Sequence, residues 1–167
     1  MAHSFYTTSE KAWTAMLSAI QGATSSIYLE SYIFLHDTFP THNFMDALVL
    51  KARQGVRVVV VVDGLGSYYF GEKQQRALEE AGAEVLFFTY WFRRIHRKVL
   101  IIDEKSVFLG GVNVGKNYVH WLDLHIKLTG KTVVRSLLRS FALSYRLSGG
   151  KNPVILAYEL QESFRDR

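Results

Sequence analysis

Cysteine is absent from the 167 residues, which excludes a disulfide framework and any thiol chemistry and fits a reducing compartment. No apolar run approaches about 18 residues, so no segment reads as a transmembrane helix. The N-terminal residues lack the basic-then-apolar layout of a secretory signal. Low-complexity segments are also missing. His3, His36, His42 and His120 show no ligand spacing, and the sequence predicts neither a metal site nor a cofactor. Membrane contact, if any, is therefore expected to be peripheral, or to come from a partner or further segments.

What is present is a chain able to fold. Hydrophobic residues make up 49% and aromatics 14%, both too high for disorder. The length suffices for one domain with a real core. The net charge is +5, and the pI is about 9.5. Such a balance suits phosphate-bearing partners, whether nucleic acid or an anionic lipid surface, without choosing between them.

The densest pattern lies at residues 96–113, His-Arg-Lys-Val-Leu-Ile-Ile-Asp-Glu-Lys-Ser-Val-Phe-Leu-Gly-Gly-Val-Asn. Its spacing is H-x-K-x4-D-x6-G-G-x-N. A second H-x-K, at His125-Ile126-Lys127, has Thr132 at the Asp position and Arg139 at the first Gly position, so only the copy at His96 is complete. Val99 to Ile102 and Val107 to Leu109 are short apolar runs flanking Asp103-Glu104-Lys105-Ser106, a hairpin signal. A turn centred on Glu104-Lys105 would set His96 opposite Asn113 and Lys98 opposite Gly111. Residues two apart on a strand share a face, so His96 and Lys98 should project together with Asn113 across from them. Asp103 has the opposite parity and is expected to hold the turn or neighbouring backbone. A neutral imidazole can attack phosphorus. Lys98 and Asn113 can stabilise the charge that builds on non-bridging oxygens. Arg94 and Arg97, with Arg93 beside them, read as a phosphate-attracting rim, and Gly110-Gly111 as a place of close backbone approach.

Elsewhere the pattern alternates. Thr7-Thr8-Ser9-Glu10 resembles a capping box opening a helix to about Ala23, with Ala12, Trp13, Met16, Leu17 and Ile20 on one face. Ile27 to Phe34 reads as a strand, Phe44 to Arg53 as a helix ended by Gly55, and Val56 to Val62 as a central strand buried on both faces. Asp63-Gly64-Leu65-Gly66-Ser67 follows. It is either a phosphate cradle or a loop beside the site. A helix at Glu72–Ala81, a strand at Glu84–Thr89, the hairpin, a strand near Leu122–Leu128 and a helix at about Thr132–Leu147 complete the pass. Ser148 to Pro153 is linker-like. The fold class is α/β, a layered domain with a mixed sheet and helices on both faces.

The motif resembles the H-K-D signature of the phospholipase D superfamily. Residues 10–34, the Val-Val-Asp-Gly-Leu-Gly-Ser segment and the Trp121-x-Asp123 block look like the N-terminal catalytic half of bacterial cardiolipin synthases. That resemblance implies a phospholipase D-like layered fold and a covalent phosphohistidine at His96. It makes Asp123 the carboxylate serving His96 and Gly110 and Gly111 structural in the motif. It also implies metal-free transfer of a phosphatidyl group from a phosphatidylglycerol-type lipid. Many superfamily members carry Gly-Ser where this chain has Gly110-Gly111, so a hydroxyl donor is missing and a backbone N–H could replace it. The family's site uses two H-K-D motifs, one His as nucleophile and the other as general acid. This chain has one. On this reading 1–147 form a single catalytic domain, and 148–167 are a linker and the start of a second half, with Val154 onward resembling a strand and helix. The second motif would come in cis or from homodimerisation, at the cytoplasmic face of a bacterial membrane. Two alternatives stand beside it: a homodimeric metal-independent endonuclease binding nucleic acid, and a catalytically silent half-domain.

Overall fold

Five consecutive valines, Val58 to Val62, organise the sheet. In the computed structural model, which describes residues 2–38, 40–89 and 94–160, they lie in a strand buried along almost its whole length. The elements run β1 (His3–Thr8), α1 (Ser9–Gly22), β2 (Ser26–Ser31), α2 (Phe44–Arg53), β3 (Arg57–Asp63), α3 (Glu72–Glu80), β4 (Glu84–Phe88), β5 (Val99–Ile102), β6 (Ser106–Gly110), β7 (Leu122–Thr129), α4 (Lys131–Leu147) and α5 (Pro153–Leu160). A short 3-10 turn covers Lys116–Tyr118. One seven-stranded sheet has the order β1-β7-β6-β5-β2-β3-β4. β3 pairs in parallel with β2 and β4, and the remaining pairs are antiparallel. The sheet is therefore mixed.

Helices cover both faces. Ala12, Trp13, Met16 and Ile20 of α1, with residues of α2 and α3, pack on Ile27, Leu29, Val58, Val60, Val62 and Leu100. On the other face Val134, Leu138, Phe141 and Tyr145 of α4 and Ile155 of α5 pack on Tyr28, Val59, Val61, Val99 and Ile101. The alternation of β3 thus splits its valines between two cores, which is why the run has no polar break.

Three local expectations change. Thr8, not Thr7, caps α1 and accepts from the Lys11 N–H at 3.4 Å. Thr7 is taken by an edge strand, β1, whose Thr8 pairs with Leu122. β1 went unread because its residues, mostly exposed, carry no apolar alternation, and its partner lies more than a hundred residues away. β2 stops at Ser31, and Phe34 makes only an isolated bridge to Val114. Val154 to Leu160 form a helix rather than a strand. Pro153 sits in its first turn, where a missing N–H costs nothing, and Asn152 Oδ1 accepts from the Val154 N–H at 3.0 Å.

The hairpin register also differs. Val99 pairs with Leu109 and Ile102 with Ser106, leaving a turn of Asp103, Glu104 and Lys105. Asp103 and Glu104 adopt left-handed backbone, φ +52° and +55°, and the Lys105 N–H closes the turn on the Ile102 carbonyl at 3.0 Å. A one-residue slip exchanges faces. Gly110, not Gly111, therefore stands opposite Lys98, donating its N–H to the Lys98 carbonyl at 3.3 Å. β6 ends at Gly110, so Asn113 has no strand position opposite His96.

Candidate active site

His96 and Lys98 sit just before β5, at the end of the sheet where β2 also ends. His96 is exposed and Lys98 buried. The imidazole packs on the ring of Tyr32, with centroids 4.7 Å apart, and Lys98 Nζ lies 5.2 Å from the centre of the same ring. Lys98 Nζ donates to the His96 carbonyl at 3.0 Å and stands 3.4 Å from His96 Nε2. An ammonium has only donors, so this contact favours a tautomer with the lone pair on Nε2, the form a nucleophile needs. Burial lowers the Lys98 pKa, while Asp123 acts to raise it.

Asp123 comes beside Lys98 rather than onto His96. Its Oδ1 accepts from the Leu124 N–H at 2.7 Å, and among the described residues it makes no hydrogen bond to His96. The carboxylate occupies the space where a side chain at residue 111 would begin. A Cβ on Gly111 would meet its oxygens at 2.2 and 2.4 Å. At Gly110, φ is +155° and a Cβ would meet the His125 ring at 2.7 Å. The two glycines thus give their volume to Asp123 and His125. This is a physical reason for Gly-Gly in place of Gly-Ser.

His125 is fully buried, and among the described residues neither ring nitrogen has a hydrogen-bond partner. Burial lowers its pKa to about 4, with Asp123 opposing and Lys98 reinforcing the shift. Sequence reasoning met His125 only as a rejected H-x-K. The available signal was parity, since Asp123 and His125 lie two apart on β7 and share its face. Asn113 fastens its segment to α1 by accepting the Trp13 indole N–H on its backbone carbonyl at 2.9 Å, and its buried side-chain Oδ1 finds no partner among the described residues. Unpaired buried polar atoms are rare, and these cluster around the motif.

The glycine-rich turn after β3 serves as a support. Asp63 Oδ1 accepts from the Leu65 and Gly66 N–H groups at 3.0 and 2.9 Å, and Oδ2 accepts from the Ile95 N–H at 3.0 Å. Those amides are therefore already engaged, which argues against a phosphate cradle and for a loop beside the site. Ser67 Oγ donates to the Tyr32 carbonyl at 2.9 Å and accepts from the Phe34 N–H at 3.1 Å. Gly66 lies flat on Tyr32, where a Cβ would meet its carbonyl at 2.4 Å. Asp63 thus holds the residue before His96, Ser67 holds the Tyr32 backbone, and Gly66 leaves room for its ring. The sequence placed Asp63 and Ser67 in a loop beside the site but gave no role to Tyr32, whose relation to His96 exists only in three dimensions. Beyond Gly66 a cleft of about 460 Å³ is lined by Ile33, Leu35, Asp37, Tyr69 and Tyr118 among others.

The remaining motif residues point elsewhere. Asp103 accepts from the backbone N–H groups of Thr24, Ser25 and Ser26 and from the hydroxyls of Thr24 and Ser25. Burial alone would raise its pKa, but these donors outweigh it and hold the carboxyl well below the usual range. Arg97 turns to the opposite side of the sheet, where it pairs with buried Glu30, so it is not part of a rim around His96. Arg94 is exposed, and Arg93 lies outside the described residues.

Comparison with known proteins gives a consistent picture. Residues 16–143 match the family described as "Cardiolipin synthase, PLD-like domain". The major cardiolipin synthase ClsA of Bacillus subtilis is 37% identical over 146 residues, 78% of this chain and 30% of that protein. Cardiolipin synthase 1 of Bacillus cereus is 33% identical over 145 residues, 77% of this chain and 28% of that one. The chain therefore spans under a third of the length of these relatives. In fold it is similar to Nuc from Salmonella typhimurium, a phospholipase D family member. That match has a TM-score of 0.71 and 24% identity, and covers 87% of this chain and 96% of that one. NucT from Helicobacter pylori matches with TM-score 0.74 and 20% identity over the same shares.

Proposed function

Because the chain belongs to the cardiolipin synthase, phospholipase D-like domain family, we propose that it supplies one half of a site that transfers a phosphatidyl group between alcohols. The substrate is a phospholipid of the phosphatidylglycerol type. The observation that carries this reading is the exposed His96 backed by Tyr32 and flanked by Lys98. His96 Nε2 attacks phosphorus, a P–N bond forms and the P–O bond to the leaving alcohol breaks. The leaving oxygen takes its proton from the imidazolium of a second H-K-D motif, contributed in cis or by a second copy. That imidazole then accepts the proton of an incoming hydroxyl, which attacks phosphorus and breaks the P–N bond. Lys98 and Asn113 stabilise the oxyanion charge. Asp123, whose carboxylate neighbours Lys98, balances positive charge as the imidazolium forms. No step calls for a metal.

Among the described residues no helix is long and apolar enough to cross a membrane, and the domain reaches lipid peripherally, helped by its net charge of +5. A direct test uses a p-nitrophenyl ester of a lipid-like phosphodiester, whose leaving group departs without an acid, in EDTA. His96-dependent release supports the reading. Release unaffected by His96→Ala would contradict it. Parallel incubation with single-stranded DNA separates the nuclease alternative, which predicts DNA cleavage with phosphatidylglycerol vesicles left intact.

A further inference from the structure

Arg97 separates the two residues that carry the proposed chemistry, yet its side chain works on the other side of the sheet. Its Nε and Nη2 donate to the two carboxylate oxygens of Glu30, each at 2.9 Å. Nη2 also donates to the Ser144 hydroxyl at 2.6 Å and the Ser140 carbonyl at 3.1 Å, and Nη1 donates to the Ser140 hydroxyl. Glu30 is fully buried on β2, and Ser140 and Ser144 belong to α4. One guanidinium therefore ties the residue between His96 and Lys98 to the sheet and to the helix that covers it.

This matters because residues 95–98 lie outside the β5 ladder, which begins only at Val99. Regular strand pairing does not fix which way their side chains face. The backbone of the segment is also tied by Asp63 on the Ile95 N–H and by the Gly110 N–H on the Lys98 carbonyl. Neither sets side-chain direction at 96–98. Arg97 does, because adjacent residues in extended chain point to opposite sides. Anchoring residue 97 toward α4 turns His96 and Lys98 together toward Tyr32.

We infer that the Glu30–Arg97 pair, with Ser140 and Ser144, is a positioning clamp that aims His96 and Lys98 at the reacting phosphodiester. The inference rests on the proposed role of His96. A buried ion pair is poor evidence for a stabilising device, since a well-packed apolar replacement often leaves stability unchanged or improved. Burial pushes the Glu30 carboxyl up to about 7 against the pull of Arg97, so ionising it in place is costly. A costly pair beneath a reactive segment is better explained by geometry, and the fork-shaped guanidinium supplies direction as well as charge.

The energetics supply the test. In the double variant Glu30→Leu/Arg97→Leu, the melting temperature should stay within about 4 °C of the parent, as apolar replacement of such a pair allows. The rate of p-nitrophenolate release should fall about 100-fold with KM little changed, because misplacement by about 1 Å suffices for such a loss. The ring resonances of His96, identified by their absence in His96→Ala, should broaden or split. Arg97→Lys, which keeps the charge but loses the fork, should fold normally and lose about tenfold. A parent-like rate and a single sharp His96 resonance in these variants would overturn the clamp. A parent chain with no His96-dependent release would instead sink the proposed function, and the resonances would still judge the clamp.

Discussion

Asp103 and Asp123 are two carboxylates of the same half of the sheet, and their surroundings could hardly differ more. Asp103 is surrounded by donors, three backbone amides and two hydroxyls from residues 24–26. It joins the β5–β6 turn to the start of β2. Asp123 accepts one local amide, faces Lys98 and stands in space vacated by Gly111. A saturated carboxylate has no lone pair left for chemistry and adds stability. A half-buried one beside a buried lysine keeps lone pairs free to answer a charge. The same division separates Arg97, whose guanidinium is extensively bonded, from His96, whose ring among the described residues meets Lys98 and lies tilted against Tyr32.

Substitutions can break this division or sharpen it. The largest effect is expected at His96: His96→Ala should remove turnover by at least about 10⁴-fold, as loss of a covalent nucleophile does, with melting unchanged. Lys98→Ala and Asn113→Ala should each cost at least about 100-fold in kcat, read by steady-state kinetics. Gly111→Ser should cost about tenfold or more, because its Cβ needs the space of the Asp123 oxygens. Gly111→Ser combined with Asp123→Ala should then be less than additive, which a double-mutant cycle would read. Asp103→Ala should do the converse, lowering stability by about 2 kcal/mol in denaturant titrations while the folded fraction keeps its activity. If Asp103→Ala left stability intact and removed activity, the comparison would fail at its root.

The smallest effects concern pH. The Asp103 carboxyl is held below its unfolded value, so the stability it contributes is present above about pH 4 and is lost as pH falls further. His125 is likewise depressed, to about 4, so the unfolded chain binds the proton that the folded chain refuses. Its destabilising effect sets in as pH falls from about 6.5 towards 4. Glu30, raised to about 7, titrates across much the same window with the opposite sign. Only the difference between the parent and His125→Phe isolates His125. In that difference the parent should lose stability with acid between about pH 6.5 and 4, and Asp103→Asn should flatten the slope below pH 4.

The motif was legible because its chemistry is local. Six residues at fixed spacing need no tertiary information, and the apolar runs around Asp103 announced a hairpin. α2 and β3 were legible for similar reasons, a periodic helix ended by glycine and an unbroken β-branched run. The turn register was not, because the carboxylate of Asp103 is claimed by residues 24–26, seventy-odd positions upstream, and that contact favours a three-residue turn. Arg97 was misread as a rim residue because its partners, Glu30 and Ser144, come from a distant strand and helix. The Asp63–Ser67 turn was legible as a loop beside the site, but the bond from Asp63 to the Ile95 N–H was not, and Tyr32 is an ordinary strand-end tyrosine until the fold brings His96 beside it.

The most direct measurement is the mass and site of the adduct formed when the chain meets an excess of a p-nitrophenyl phosphodiester and is quenched within the first turnover. A nitrophenolate burst matching the enzyme concentration is predicted, with the phosphoryl group on the His96 peptide and nowhere in His96→Ala. Turnover with no adduct, or an adduct on another residue, would contradict the assignment of His96 as the nucleophile.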